Sequence, residues 1–289
     1  MSTSERAAVL DRPTGISTRL LRSELRLVFR RRRNLAILLV LAGAPVLLGL
    51  AIRLGSHGGG GDGGGGGPAF IGQITRNGLF LSLTSLVVAL PLFLPLAVSV
   101  VSGESIAGEA STGTLRSLLV VPVDRTRLLV VKYAGIVAYA AAGAAVVAAT
   151  GVLMGLVLFP TGPVTLLSGT VIPLGDALVR LLLVTLYVAA MLAGVAAIGL
   201  FVSTLTEVPL AAMASTAILV IVAEILDAIP QIATIHPWLF THWWFAFGDL
   251  VRDPVSYDQM VRGLLVHAAY VVVFGTLAWA RLTTRDVTS

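Results

Sequence analysis

Six mainly apolar segments, each of 20 residues or more, dominate this sequence and limit what it can fold into. A helix needs about 20 such residues to cross the roughly 30 Å hydrocarbon core of a bilayer. Charged residues make up 12% of the chain, whereas soluble domains carry about 25%. The sequence therefore predicts an all-α polytopic membrane protein with six transmembrane helices, at residues 34–54, 78–101, 128–159, 176–202, 208–229 and 262–281.

Basic residues are concentrated before the first apolar segment. Nine of the 20 lysines and arginines precede residue 34, including the arginine run at residues 30–33. An arginine-rich stretch that leads directly into an apolar segment is typical of a membrane orientation signal and not of a nucleic-acid-binding surface. The chain has no cysteine, which excludes disulfides and thiolate metal sites. We therefore expect membrane lipid, and no nucleic acid, among its partners.

Charge asymmetry predicts the orientation of the spans. If the N-terminus is cytoplasmic, the inside segments hold 15 lysines and arginines and the outside segments hold five. Cytoplasmic loops carry the excess of basic residues. We therefore expect a multi-pass protein of the plasma membrane with both termini cytoplasmic, forming a single transmembrane domain over residues 1–289. Its connecting parts would be a cytoplasmic tail and helix at 1–33, a glycine-rich outer loop at 55–77, a cytoplasmic loop at 102–127 and an outer re-entrant segment at 230–261.

Residues 18–33 have the pattern of an amphipathic interfacial helix. Leu21, Leu25 and Val28 fall on one face. Each arginine near an anionic leaflet stabilises surface binding by about 1 kcal/mol. The basic stripe on the opposite face consists of Arg19, Arg22, Arg26, Arg30 and Arg33.

The loop at 102–127 contains a second amphipathic pattern. Leu115, Leu118 and Leu119 recur at helical spacing between Gly113 and Pro122. Such a short helix could dock into a hydrophobic groove on another protein. It could equally lie on the bilayer surface, and these residues alone leave both interpretations open.

The same loop resembles the cytoplasmic loop of the type 2 permease subunits of ATP-binding-cassette (ABC) transporters. The chain end "WARLTTRDVTS" shows a weaker resemblance to the terminal span and basic tail of that family. The residues that carry the stronger resemblance are Glu104, Ile106, Ala107, Glu109, Gly113, Thr114, Leu115, Leu118, Leu119, Pro122, Val123, Arg125 and Lys132.

The resemblance implies the membrane subunit of an exporter that works as a dimer with a second permease copy, identical or paralogous. ATP and Mg would be bound by separate ABC-type ATPase subunits, so this chain would hold no cofactor and would not itself be an enzyme. Residues 113–121 would form the coupling helix seated in a cleft of the ATPase, and the helix at 18–33 would touch the ATPase beside it. The implied coupling residues are Glu104, Glu109, Gly113, Thr114, Leu115, Arg116, Leu118, Leu119 and Pro122.

Glu104 and Glu109 also have a simpler interpretation. Acidic residues are favourable by a few tenths to about 1 kcal/mol near the positive N-terminal end of a helix. The resemblance instead assigns them to orienting the coupling helix.

The stretch between the fifth and sixth spans is aromatic and contains Pro230 and Pro237. Trp238, Trp243 and Trp244 favour an interfacial belt in a re-entrant segment; the alternative is an aromatic site for an apolar cargo. Glu224 and Asp227, near the outer end of the fifth span, are either functional or simply hydrated. His236 and His242 are six residues apart, which fits no standard metal-ligand pattern, so we expect no metal site.

Three other classes of function remain as alternatives. A secondary transporter needs ionisable residues near the bilayer midplane, and the spans lack mid-span acids. A membrane enzyme needs a polar catalytic cluster, and no such set is evident in the sequence. A scaffold that recruits an ATPase without transport predicts the same loop. Under the exporter interpretation, the apolar second and fifth spans favour a hydrophobic or amphipathic cargo.

Overall fold

The computed structural model describes residues 18–58, 77–112, 125–160, 162–166 and 168–284. Within these ranges the chain forms eight α-helices, a small β-hairpin and three short 3-10 helices. The α-helices are α1 (Thr18–Arg30), α2 (Arg32–Gly58), α3 (Leu79–Ala89), α4 (Phe93–Ser111), α5 (Arg125–Leu158), α6 (Leu174–Leu205), α7 (Pro209–Asp227) and α8 (Asp258–Thr284).

Five of these helices, α2, α5, α6, α7 and α8, are each long and apolar enough to cross a membrane. Helices α3 and α4 meet the same criterion only as a pair, and they are bent by 54° relative to each other. The break includes Pro91, which has no N–H for the helical hydrogen bond and crowds the preceding turn. The chain is thus a mostly helical, multi-pass membrane protein with five or six candidate spans.

Helix α6 is the centre of the bundle. Two thirds of its most apolar window is buried, against a third or less for the other four single helices. A helix that is hydrophobic all round is stable where other helices cover every face, and Val184, Val188 and Met191 are fully buried. The outer helices instead expose leucine and valine, which a lipid environment accommodates.

Glycine and serine bring α3 and α5 into close contact. A Cβ atom on Gly155 would overlap the carbonyl of Gly78, and one on Gly151 would lie 2.5 Å from the Cα of Ser82. The Ser82 hydroxyl also donates to the carbonyl of Ala148 at 2.8 Å. Small residues allow such close packing in lipid, where dispersion and interhelical hydrogen bonds drive association. The small-residue run at 138–151 therefore serves helix packing.

Helix α4 extends beyond the predicted span end at residue 101 and continues to Ser111. Gly103 does not break the helix, because its missing side chain leaves room for α7: an added Cβ would lie 2.6 Å from the backbone nitrogen of Met213. The hydroxyl of Ser203 on α6 donates to the Gly103 carbonyl at 2.8 Å and accepts from the Ala107 N–H at 2.9 Å. The first part of the predicted loop is therefore a helix packed against α6 and α7.

The two ends of the bundle carry different structures. The α1 end contains α1, the starts of α2, α5 and α7, and the ends of α4, α6 and α8. The hairpin end contains strands β1 (Val164–Thr165) and β2 (Val171–Ile172), paired antiparallel. It also contains the 3-10 helices Pro230–Ile232, His236–Trp238 and Ala246–Val251. Arg180 of α6 holds the last of these by donating to the carbonyls of Leu250 and Arg252, each at 2.8 Å.

Substitution of Gly151 by valine tests the α3–α5 contact. Overpacking typically costs 1–3 kcal/mol, and each kcal/mol shifts the melting temperature by about 2–4 °C in a protein of this size. We expect Gly151→Val to lower the apparent melting temperature in detergent by several degrees. Gly275→Val in α8 is the matched control, because no atom lies within 4 Å of an added Cβ there. Equal melting temperatures for the two variants would contradict this packing.

Candidate functional site

The candidate site is a set of ion pairs at the α1 end, where α1, α2, α4 and α5 meet. Lys132 of α5 is 2% exposed, and its ammonium lies 2.6 Å from Glu109 Oε1 and 3.6 Å from Glu24 Oε1. Glu109 belongs to the last turn of α4 and Glu24 to α1. One buried cation therefore joins three helices.

A second group of charges lies beside the first. Glu104 of α4 accepts from Arg33, and its Oε2 lies 2.6 Å from Arg31 Nη1. All three side chains are partly exposed, so solvent screens these pairs and each stabilises the fold only modestly. Their main effect is geometric, because they hold the start of α2 against α4.

The placement of the two glutamates overturns one interpretation of the sequence. Glu104 and Glu109 lie in the C-terminal half of α4, and Glu109 is in the last turn, where the helix dipole disfavours negative charge. They are therefore not N-terminal helix charges. Their partners are the cations of neighbouring helices, which compensate for both the dipole and the loss of water.

The connection between α1 and α2 is fixed by hydrogen bonds to buried groups. The Asn34 side chain donates to the carbonyl of Val28 at 2.8 Å, and the Tyr139 hydroxyl of α5 donates to the Asn34 carbonyl at 2.9 Å. Phe29 packs against Tyr139 with ring centroids 5.9 Å apart. The turn at Arg31 is thus held by α5 as well as by the ion pairs.

Helix α1 has the amphipathic form that the sequence predicts, over a shorter range. Leu21 and Leu25 are half-buried and Val28 is buried. Arg33 does not belong to this helix: the helical structure is interrupted at Arg31, and Arg33 lies in the first turn of α2 against Glu104. The arginines exposed on the other face of α1 are Arg19, Arg22, Arg26 and Arg30.

The end of α8 is tied to the start of α5. Arg125 donates to the carbonyls of Leu282 and Thr283, each at 2.9 Å, and the Trp279 indole donates to Thr126 Oγ1. The last carbonyls of a helix lack intrahelical partners, and a cation there also complements the dipole. Arg125 therefore brings α8 into the same end structure.

A cleft of about 700 Å³ opens among these elements. Leu27 of α1 supplies an apolar part of its lining. The charged lining residues are Glu24, Arg31, Glu104, Glu109 and Lys132. The remaining predicted coupling residues lie outside the described residues, so their roles stay predictions. They are Gly113, Thr114, Leu115, Arg116, Leu118, Leu119 and Pro122.

Sequence reasoning missed part of this site. Lys132 entered as one of the residues that carry the family resemblance, Arg31 entered only as part of the arginine run, and Glu24 had no assigned partner. The signal for Lys132 was its charge inside an apolar segment. Its partners could not be read from spacing, because Glu24 is far away along the chain.

The three tryptophans at the hairpin end do not form one site. Trp244 is fully buried, and its indole lies 3.4 Å from His267 Nε2. Trp238 is 75% exposed, whereas Trp243 is half-buried and donates to the carbonyl of Pro237 at 3.0 Å. Glu224 is half-buried, one turn before Asp227 on α7. This distribution favours packing and an interfacial belt over a common aromatic pocket.

A double-mutant cycle tests the buried ion pair. Removing one partner of a buried pair typically costs 3–5 kcal/mol, because the other charge stays buried. We expect Lys132→Met to lower the apparent melting temperature strongly. The double variant with Glu109→Gln should recover part of that loss, because it also removes the carboxylate charge that Lys132 compensates. Arg22→Met, on the exposed face of α1, is the control and should change the melting temperature little. Additive effects of Lys132→Met and Glu109→Gln would contradict the pairing.

Comparison with known proteins identifies a family without a described activity. Residues 70–288 match the family described as protein of unknown function, DUF2705. A search of curated proteins gave no match. Because the family match extends over well over half of the sequence, the chain belongs to the DUF2705 family.

Proposed function

We propose that this chain is the transmembrane permease subunit of an ABC exporter, related to the type 2 permeases. It would pair with a second permease copy, and separate ABC-type subunits would bind and hydrolyse ATP with Mg. The observation that carries the proposal is the ion-pair set around Lys132 and Glu104. It joins α1 to the two helices, α4 and α5, that flank residues 113–124.

This arrangement suits the transmission of force. Residues 113–124 connect the end of α4 at Ser111 to the start of α5 at Arg125. A push on this segment would act on both helices, on α1 through Glu24 and Lys132, and on α8 through Arg125. Elements joined in this way can rock together as one body, as in other interface and hinge transitions.

The basic residues of the α1 end support an orientation with this end in the cytoplasm. The exposed arginine face of α1 and the basic residues of the α1 end would lie in the cytoplasm, on an anionic leaflet of the plasma membrane. The hairpin end, with the aromatic segment after α7, would face the outside. In that orientation α1 lies beside the end of α4 and the start of α5, which residues 113–124 connect, and an ATPase could contact α1 there.

The cargo would be hydrophobic or amphipathic. Helix α7 exposes Ile218, Leu219, Val222 and Ile225, and the bend between α3 and α4 exposes apolar side chains that include Phe93. Apolar faces of this kind could line a path between two permease copies.

The described structure supports this proposal over a proton- or ion-coupled carrier. His267 lies inside α8, and both ring nitrogens are engaged: Nδ1 donates to the Gly263 carbonyl at 2.9 Å and Nε2 accepts from Trp244. A side chain that is buried with both nitrogens satisfied fits a packing role better than a proton relay.

Co-purification tests the proposal. The protein, carrying a non-histidine tag, would be isolated from its native membranes in mild detergent, and the eluate assayed for ATP hydrolysis. We expect a soluble subunit with a nucleotide-binding P-loop in the eluate, at about one per permease. The double substitution Leu115→Asp with Leu118→Asp should remove it, because charge on the predicted apolar face prevents docking in a hydrophobic groove.

The matched control is Val208→Asp, in the short connection between α6 and α7 at the same end of the bundle. Val208 is 56% exposed and precedes the first residue of α7, where aspartate is a favourable helix cap. The ATPase subunit should still co-purify with this variant. If the wild type binds no ATPase, or if all three proteins bind it equally, the exporter proposal is wrong.

A further inference from the structure

We infer that Asp227, His236 and His242 form a binding site for a divalent transition-metal ion of the zinc class at the hairpin end. Asp227 is the last residue of α7, and the two histidines belong to the segment that follows it. Each side chain offers one ligand atom, and these atoms all lie within 4.8 Å of one another. The inference is independent of the exporter proposal.

His236 is oriented as metal-binding histidines are. Its Nε2 lies 3.1 Å from the carbonyl oxygen of Ile229, and a carbonyl can only accept, so Nε2 carries the proton. In the neutral ring Nδ1 then has its lone pair available. Nδ1 lies 3.9 Å from Asp227 Oδ1, beyond hydrogen-bond distance. A second-shell carbonyl that fixes the tautomer in this way is a general feature of histidine ligands.

His242 contacts the same carboxylate oxygen as His236. Its Nδ1 lies 2.8 Å from Asp227 Oδ1, which is a hydrogen bond when Nδ1 carries a proton. A metal ion would replace that proton, as deprotonation of ligands on metal binding requires. The ring centroids of His236 and His242 lie 5.8 Å apart. The Trp243 ring packs edge-on against the His242 ring, with their centroids 4.9 Å apart. Both rings are therefore already held near Asp227.

The ligand set selects the class of ion. Two imidazoles and one carboxylate suit zinc and neighbouring divalent metals, whereas calcium and magnesium prefer oxygen ligands and copper(I) prefers sulfur. Zinc binds these atoms at about 2.0–2.2 Å, so tetrahedral ligands are about 3.4 Å apart. Metal binding would draw the three ligand atoms together from their present spacing of up to 4.8 Å, and the side chain of His242 is exposed. Three protein ligands at a solvent-accessible position leave a fourth place for water or an exogenous ligand.

Local folding explains why sequence spacing failed to predict this site. The 3-10 helices Pro230–Ile232 and His236–Trp238 fold the segment after α7 back on itself. Histidines six residues apart on a regular helix would diverge, but these turns direct both rings to the end of α7. The expectation of no metal site rested on the absence of a regular spacing, which this geometry does not need.

Isothermal titration with zinc chloride tests the inference. The full-length protein, with a non-histidine tag, would be stripped with EDTA and desalted in detergent before titration. We expect one zinc per chain and a higher melting temperature with zinc, because a ligand that binds only the folded state stabilises it. Cobalt(II) should give the visible absorption of a site with nitrogen and oxygen ligands.

The informative variant is Asp227→Asn. Its amide oxygen can still accept the His242 hydrogen bond, but it lacks the charge of a carboxylate ligand. We expect zinc affinity to fall by about 100-fold or more, with His236→Gln giving a similar loss, while the metal-free melting temperature of Asp227→Asn stays near wild type. Asp258→Asn, an exposed acid in the first turn of α8, should bind zinc as wild type does.

Two results would overturn the inference. One is no zinc binding by the wild type, which would leave the three side chains as a hydrogen-bonded structural contact. The other is unchanged zinc affinity in Asp227→Asn and His236→Gln, which would place the metal elsewhere on the chain.

Discussion

The packing of α1, α4 and α5 at the α1 end depends on the buried ammonium of Lys132. A charge in this position is unfavourable unless carboxylates compensate it, and the compensating groups come from two other helices, Glu109 of α4 and Glu24 of α1. The requirement is mutual, because Glu109 lies in the last turn of α4, where the dipole disfavours an anion. Each of the three helices therefore supplies a charge to this cluster, and displacement of any one of them removes an ion-pair contact from Lys132.

The rest of the bundle is held by a different interaction. Lipid is as apolar as leucine, so apolar contact alone does not favour helix association in a membrane; close packing and interhelical hydrogen bonds do. Gly151 and Gly155 allow α3 to approach α5, and Ser203 links α6 to the backbone of α4. These contacts position α4 and α5, whose ends carry Glu109 and Lys132. The ion pairs thus lie at the ends of helices that these close contacts also position.

The sequence predicted the features that depend on local composition. Apolar length was enough to locate helices in all six predicted segments. The extension of α4 to Ser111 was not predicted, because polarity after residue 101 resembles a loop, while the structure packs Gly103 against α7. The Glu24–Lys132 contact and the histidine pair were also missed, since both depend on tertiary folding that hydropathy and spacing do not encode.

Helix α7 connects the two ends of the molecule physically. It begins at Pro209, which lines the cleft at the α1 end, and it closes with Asp227 beside the two histidines. Its backbone at Met213 lies directly against Gly103 of α4, one residue from Glu104. One continuous helix therefore runs from the contact with α4 beside Glu104 to the carboxylate of the proposed metal site.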